Sequence, residues 1–133
     1  MERAEKILIV EDEAIIASII SRSLKYHGYS VTVTRKGKDA LEKIQISNYN
    51  LILLDIGLPD ISGIELLKKI RETDDEIIII LITGRPCLET SVDSVNNGAD
   101  GYLIKPLREN ELIDIIEGKL IQRFKRKINS SFN

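Results

Sequence analysis

Short runs of apolar, mostly β-branched residues recur along this chain, and each is followed by a stretch with helical periodicity. Four of them, Ile7-Leu8-Ile9-Val10, Leu51-Ile52-Leu53-Leu54, Ile77 through Ile82 and Tyr102-Leu103-Ile104, contain no charged residue. Strands that are apolar on both faces suit a parallel sheet covered by helices on each side. A fifth run, Val31-Thr32-Val33-Thr34, alternates and predicts an edge strand with one wetter face. Between the runs, Ile15, Ile16, Ile19, Ile20 and Leu24 recur at helical spacing and end at His27-Gly28, a natural left-handed cap. Ala40, Leu41 and Ile44 repeat after Gly37, and Ile64, Leu67 and Ile70 repeat after Ser62-Gly63. Leu112, Ile116, Leu120 and Phe124 run at i, i+4 through a last helix. The segment 88–97 completes the alternation as a helix, although its Thr, Ser, Asp and Asn residues are poor helix formers. Strand then helix, five times over, predicts an α/β fold. It is a flavodoxin-like, doubly wound five-stranded parallel sheet of order 2-1-3-4-5 with helices on both faces.

The length of 133 residues fits one domain, assigned to residues 1–128 with a last helix that extends further than usual, followed by a loose tail at 129–133. A content of 43% apolar and 30% charged residues argues against global disorder. Nineteen basic and 21 acidic residues leave a net charge of −2, which gives no general attraction to nucleic acid or to an anionic membrane. The single cysteine, Cys87, excludes an intrachain disulfide and a multi-cysteine metal site; it is expected as a small packing residue. No apolar run approaches the ~20 residues of a membrane helix. The expectation is a soluble cytoplasmic domain.

In open α/β sheets, ligands bind beyond the carboxyl ends of the strands. Glu11, Asp12 and Glu13 follow the first strand, Asp55 the third, Thr83 and Gly84 the fourth, and Lys105-Pro106 the fifth. Acids, a hydroxyl and an amine from four strands thus converge on one sheet edge. Two carboxylates 4 Å apart repel by roughly 4 kcal/mol at an effective dielectric of 20. A divalent cation removes that penalty, and oxygen-only ligands select a hard ion such as Mg²⁺, with Mn²⁺ as a substitute. Metal, lysine and hydroxyl around one carboxylate match the needs of phosphoryl transfer, and an Asp carboxylate can be the nucleophile.

The segments ILIVEDE, LLDIGLPDISG, ITG and GADGYLIKP together resemble the receiver domain of two-component response regulators, chemotaxis-regulator-like, over about residues 6–122. The resemblance implies Asp55 as phosphoacceptor. It implies Asp12 as direct metal ligand, Glu11 as the second acid acting through water, and the Gly57 backbone carbonyl as a further ligand. It also implies Thr83 as the hydroxyl that moves onto the phosphoryl group, Gly84 as the small residue giving access, Lys105 as the phosphate-contacting amine, and Tyr102 as the aromatic that swings inward. The bond to Pro106 is cis in the family. Gly57 and Arg85 fall at two variable positions that tune phosphate lifetime. The implied partners are a sensor histidine kinase and a downstream effector or output domain. A homodimer through the face of helix 4, strand 5 and helix 5 is also implied.

Any one acid at a strand end is by itself an ordinary solvated loop residue; the ordered set is what carries the reading. Gly63 reads as a helix-start glycine without chemistry, and His27 as a surface residue. The cations Lys119, Arg123, Lys125, Arg126 and Lys127 suit a helix C-terminus. Two rival functions are a Mg²⁺-dependent aspartyl-phosphate phosphatase and a pseudo-receiver with a dead site. The first generally carries a second acid two residues after the nucleophile, where Gly57 stands; the second would have lost one of the site residues. A nucleotide-binding domain lacks its Gly-rich loop after strand 1, and too few residues follow the receiver for a helix-turn-helix domain.

Overall fold

The computed structural model describes residues 4–131. Five parallel strands, β1 (Lys6–Val10), β2 (Ser30–Thr34), β3 (Leu51–Asp55), β4 (Ile78–Thr83) and β5 (Gly101–Ile104), form one sheet of order β2-β1-β3-β4-β5. They alternate with α1 (Ala14–Tyr26), α2 (Gly37–Ile46), α3 (Gly63–Thr73), α4 (Leu88–Asn96) and α5 (Glu109–Ser131). The flavodoxin-like order is therefore as the sequence pattern requires.

Strand pleating divides each apolar run between two cores. Ile7, Ile9, Leu51, Leu53, Ile78, Ile80 and Ile82 pack with Ile20 and Leu24 of α1 and with Leu112, Ile113 and Ile116 of α5. Leu8, Val10, Ile52, Leu54, Ile79 and Leu81 pack with Ala40 of α2 and with Leu66, Leu67 and Ile70 of α3. Every residue of β3 and β4 is buried. Each such Ile or Leu contributes roughly 1.5–3 kcal/mol when fully removed from water. The strand ends, and the loops that leave them, are fixed by this two-sided burial. At the β2 edge the pattern inverts the simplest reading of the alternation. Val33 is exposed while Thr34 is buried, its hydroxyl donating to the Ile9 carbonyl at 3.3 Å.

Helix boundaries follow their chemistry. The α1 C-terminus closes on Gly28 at φ +93°, a conformation only glycine adopts without strain, and Gly28 N–H donates to Lys25 O. Ser62 caps α3 by accepting from Glu65 N–H at 3.1 Å. The α5 helix has 23 residues and is about 34 Å long, twice the length of the strands it packs on. Its apolar stripe leaves the body of the protein beyond Leu120, so Phe124 is 66% exposed rather than part of the core. Residues 129–131, read from sequence as a loose tail, continue this helix; Phe132 and Asn133 lie outside the described residues. Cys87, expected to pack, is exposed and sits at the N-cap of α4, because the β4–α4 loop lifts it off the sheet.

Gly63 does more than start a helix. Its N–H donates to Ile56 O at 2.8 Å, and a Cβ there would come within 2.5 Å of Ile56 Cα and 2.7 Å of Asp55 O. Both neighbours are backbone, so neither can rotate away. Gly63→Ala is expected to destabilise the protein by about 1–3 kcal/mol. Urea unfolding checks this, and a wild-type midpoint in the variant would contradict it.

Candidate functional site

The carboxyl ends of β1, β3, β4 and β5 open into one cleft of about 570 Å³, lined by Asp12, Glu13, Asp55, Gly57, Thr83, Gly84, Arg85, Thr90 and Lys105 among others. Sheet order makes this possible. β1 and β3 are neighbours, so Glu11, Asp12 and Asp55 come together; one oxygen from each lies within 4.8 Å of the others. Lys105, at the end of the outermost strand, reaches back across β4 to meet them.

Glu11 and Asp55 are almost completely buried, and Asp12 is half-buried. The Lys105 ammonium donates to Asp55 Oδ2 at 2.8 Å, stands 2.9 Å from Glu11 Oε1 and lies 4.0 Å from Glu13 Oε1. The Gly57 N–H donates to Asp55 Oδ1 at 2.8 Å, and the Glu13 N–H to Glu11 Oε2 at 3.1 Å. Glu11 Oε1, although close to the ammonium, makes no hydrogen bond of regular geometry. One cation therefore faces two buried carboxylates, bonded to Asp55 and ion-paired with Glu11.

These environments push the two acids apart. Burial raises the Glu11 carboxyl to about 7, with the neighbouring Asp55 adding to the effect and Lys105 opposing it. Burial would raise Asp55 as well. The bond from Lys105, together with those from the Gly57 N–H and Glu11, outweighs it, and Asp55 stays below the ordinary carboxylate value. Lys105 loses some basicity to burial, but its bonds to Asp55 and Glu11 hold it above the usual amine value.

An all-oxygen set of three acids, whose negative charge exceeds what the one buried ammonium balances, fits a hard divalent cation. The remaining residues surround this centre. Thr83 is buried, and its hydroxyl accepts from Arg85 N–H at 3.0 Å. Gly84 leaves open space toward Lys105, where an added Cβ would meet only Lys105 Cδ at 3.7 Å. Tyr102 is half-buried, with its hydroxyl 3.2 Å from Thr90 Oγ1. Arg85 is exposed at the rim, and the Lys105–Pro106 bond is cis. Sequence reading passed over Thr90, which ties the start of α4 to Tyr102 and whose Oγ1 also lies 3.2 Å from Cys87 Sγ. A polar residue in a poor helix former gave no separate signal.

Three acids and a lysine thus meet at the carboxyl edge of a 2-1-3-4-5 sheet, the arrangement expected of a signalling receiver. The chain belongs to the response regulator receiver domain family, whose profile matches residues 7–117. It is 40% identical over 116 residues to the uncharacterized transcriptional regulatory protein YkoG of Bacillus subtilis, covering 87% of this chain and 51% of that protein. It is 41% identical over 115 residues to the response regulator ArlR of Staphylococcus saprophyticus, covering 86% and 52%. A solved CheY-like receiver domain from Methanospirillum hungatei superposes with a TM-score of 0.91 at 37% identity, over 93% of this chain and 99% of that one. The chain spans about half the length of the curated relatives it matches. Among the described residues, no helix is long and apolar enough to cross a membrane.

The raised Glu11 value has a consequence for stability. Between its ordinary value of 4.5 and about 7, the folded protein keeps a proton that the unfolded chain has lost. That contribution is complete below 4.5 and disappears as pH rises to about 7. Asp55 works in the opposite direction but only at lower pH, and Lys105 only at high pH. Without divalent cations, the melting temperature of wild type is expected to fall relative to Glu11→Gln between about pH 5 and pH 8. Parallel profiles for the two proteins would remove this account of the carboxyl pair.

Proposed function

We propose that this receiver takes a phosphoryl group from the phosphohistidine of a sensor histidine kinase onto Asp55, and that the altered face formed by α4, β5 and α5 then binds an output partner or a second copy. The observation that carries the reading is the Lys105 bridge between two buried acids on adjacent strand ends. Asp55 is held ionised at neutral pH and so is competent as a nucleophile. Its free oxygen lone pair attacks phosphorus, the P–O bond forms as the P–N bond breaks, and the leaving imidazole keeps the electron pair and takes up a proton. Asp12, Asp55, the Gly57 carbonyl and Glu11 would hold Mg²⁺ or Mn²⁺, which would supply positive charge to the phosphoryl oxygens. Lys105 offers a second positive charge, and Gly84 leaves the approach open.

The added charge needs a new donor. Thr83, whose hydroxyl accepts from the Arg85 N–H, turns toward the phosphoryl oxygens, and Tyr102 moves into the vacated space. Thr90 ties Tyr102 to α4, so this movement alters the face on which Leu88, Val95 and Ile104 are at least half exposed. Arg85 at the rim shields the phosphoryl group from water, while Gly57 offers no side chain to orient an attacking water; both favour a long-lived phosphorylated state. The same Gly57 leaves a phosphatase mechanism without its general acid. The site works in the cytoplasm, where a sensor kinase presents its phosphohistidine.

With Mg²⁺ and a small phosphodonor, intact mass is expected to show one added phosphoryl group on wild type and none on Asp55→Asn; equal uptake by both would overturn the assignment. Lys105→Met is expected to fold, since the apolar stem is retained, yet to lose the gain in partner affinity on phosphorylation. In the same assay, Arg85→Ala is expected to shorten the phosphate lifetime, and an unchanged lifetime removes Arg85 from the scheme.

A further inference from the structure

The segment 35–38, which joins β2 to the first turn of α2, does not line the cleft, yet it is bonded to the β1–α1 loop and to the loop that follows Asp55. The Arg35 guanidinium donates from Nε to the Asp12 carbonyl oxygen at 2.9 Å, engaging the backbone rather than the carboxylate. One residue earlier, Thr34 O accepts from Glu11 N–H at 3.0 Å, so the β1–β2 ladder runs right up to the first acid. On the other side, Asp60 of the β3–α3 loop reaches across to the start of α2. Its Oδ1 accepts from Gly37 N–H and its Oδ2 from Lys38 N–H, both at 3.0 Å. Lys36, the N-cap residue of α2, provides no side-chain cap, so the orphan donors of this helix are satisfied by Asp60 instead. Gly37 is buried against the same loop, where any Cβ would collide with Ile61.

We propose that Arg35 and Asp60 are positioning residues that brace the β1–α1 and β3–α3 loops against one turn, fixing the separation between Asp12 and the Asp55–Gly57 segment and so the affinity for Mg²⁺. The proposal rests on the reading of this site as a Mg²⁺-assisted phosphoacceptor. Mg²⁺ demands near-octahedral geometry and tolerates little ligand displacement. Loops that wander lower the fraction of molecules ready to bind, and the apparent affinity falls by that fraction. The charge-assisted bonds at Asp60 and the guanidinium bond at Asp12 oppose that wandering. Neither residue touches the cation or the phosphoryl group.

Calorimetric titration of the unphosphorylated chain with Mg²⁺ alone tests this directly. Arg35→Ala and Asp60→Ala are each expected to bind Mg²⁺ about fivefold more weakly, the factor that loss of one helix cap or loop bond corresponds to. Asp60→Asn keeps one acceptor and is expected to recover part of the loss. Ile70→Val, a buried α3 variant that lowers thermal stability without touching either loop, is expected to keep wild-type Mg²⁺ affinity. Phosphorylation from a small phosphodonor is expected to need about fivefold more Mg²⁺ at half-saturation in the two alanine variants, with the rate at saturating Mg²⁺ unchanged. If wild type binds Mg²⁺ and both alanine variants match it, the brace is wrong while the phosphoacceptor site stands. A loss in Ile70→Val as large as in Asp60→Ala also overturns it, because general destabilisation then explains the effect. If wild type itself binds no Mg²⁺, the site reading falls and the brace with it.

Discussion

One ammonium group, that of Lys105, lies between Glu11 and Asp55, and the rest of the site is arranged around it. The pairing requires β1 and β3 to be neighbours and β5 to lie at the sheet edge, so that a long flexible side chain can reach back over β4. The 2-1-3-4-5 order meets both conditions. It also requires the strand ends to be rigid, and the unbroken burial of β3 and β4 on both faces makes them so. Lys105 balances one negative charge. The second is accommodated by the high proton affinity of Glu11, and an oxygen that lacks a regular donor remains in the buried site. The site is thus held together while one carboxylate carries more than its share of the burial cost.

Rigidity falls away from that centre in a consistent direction. Asp55 is the last residue of a fully buried strand, whereas Thr83 is followed by the exposed segment 84–89. Beyond it, α4 is short, buries only Ser94, and is rich in residues that compete with the helical backbone. The Thr90–Tyr102 contact joins this weaker helix to β5. On the proposed function, a change in charge at Asp55 would meet a stiff side, β1 and β3, and a compliant side, α4 and β5, where the response would emerge.

Much of the architecture was legible in the sequence because the two-faced burial of β1, β3 and β4 leaves an unmistakable run of Ile and Leu, and because acids placed directly after such runs must lie at one sheet edge. The edge strand was legible too, although not which of its faces was wet: Thr34 is buried by a local bond to Ile9 O that periodicity does not encode. The fate of α5 was only partly readable, since i, i+4 spacing continues through Phe124 whether or not a sheet lies beneath it. Cys87 was misplaced because residue type suggested packing while the loop geometry lifts it away. The contacts of Arg35 and Asp60 left no sequence signal, because each joins a side chain to backbone atoms of a distant loop. Gly63 read as a helix start, and only the distance to the Asp55 carbonyl shows why a side chain is excluded there.

On the proposed function, the carboxylate paired with Lys105 on β3, and no other acid of the cluster, receives the phosphoryl group. Borohydride reduction of the phosphorylated protein converts an acyl phosphate to an alcohol, and tandem mass spectrometry then locates the altered residue. Homoserine is expected at position 55, with Glu11, Asp12 and Glu13 unmodified. Reduction product at any of those three positions, or phosphate retained on a residue that borohydride leaves intact, would contradict it.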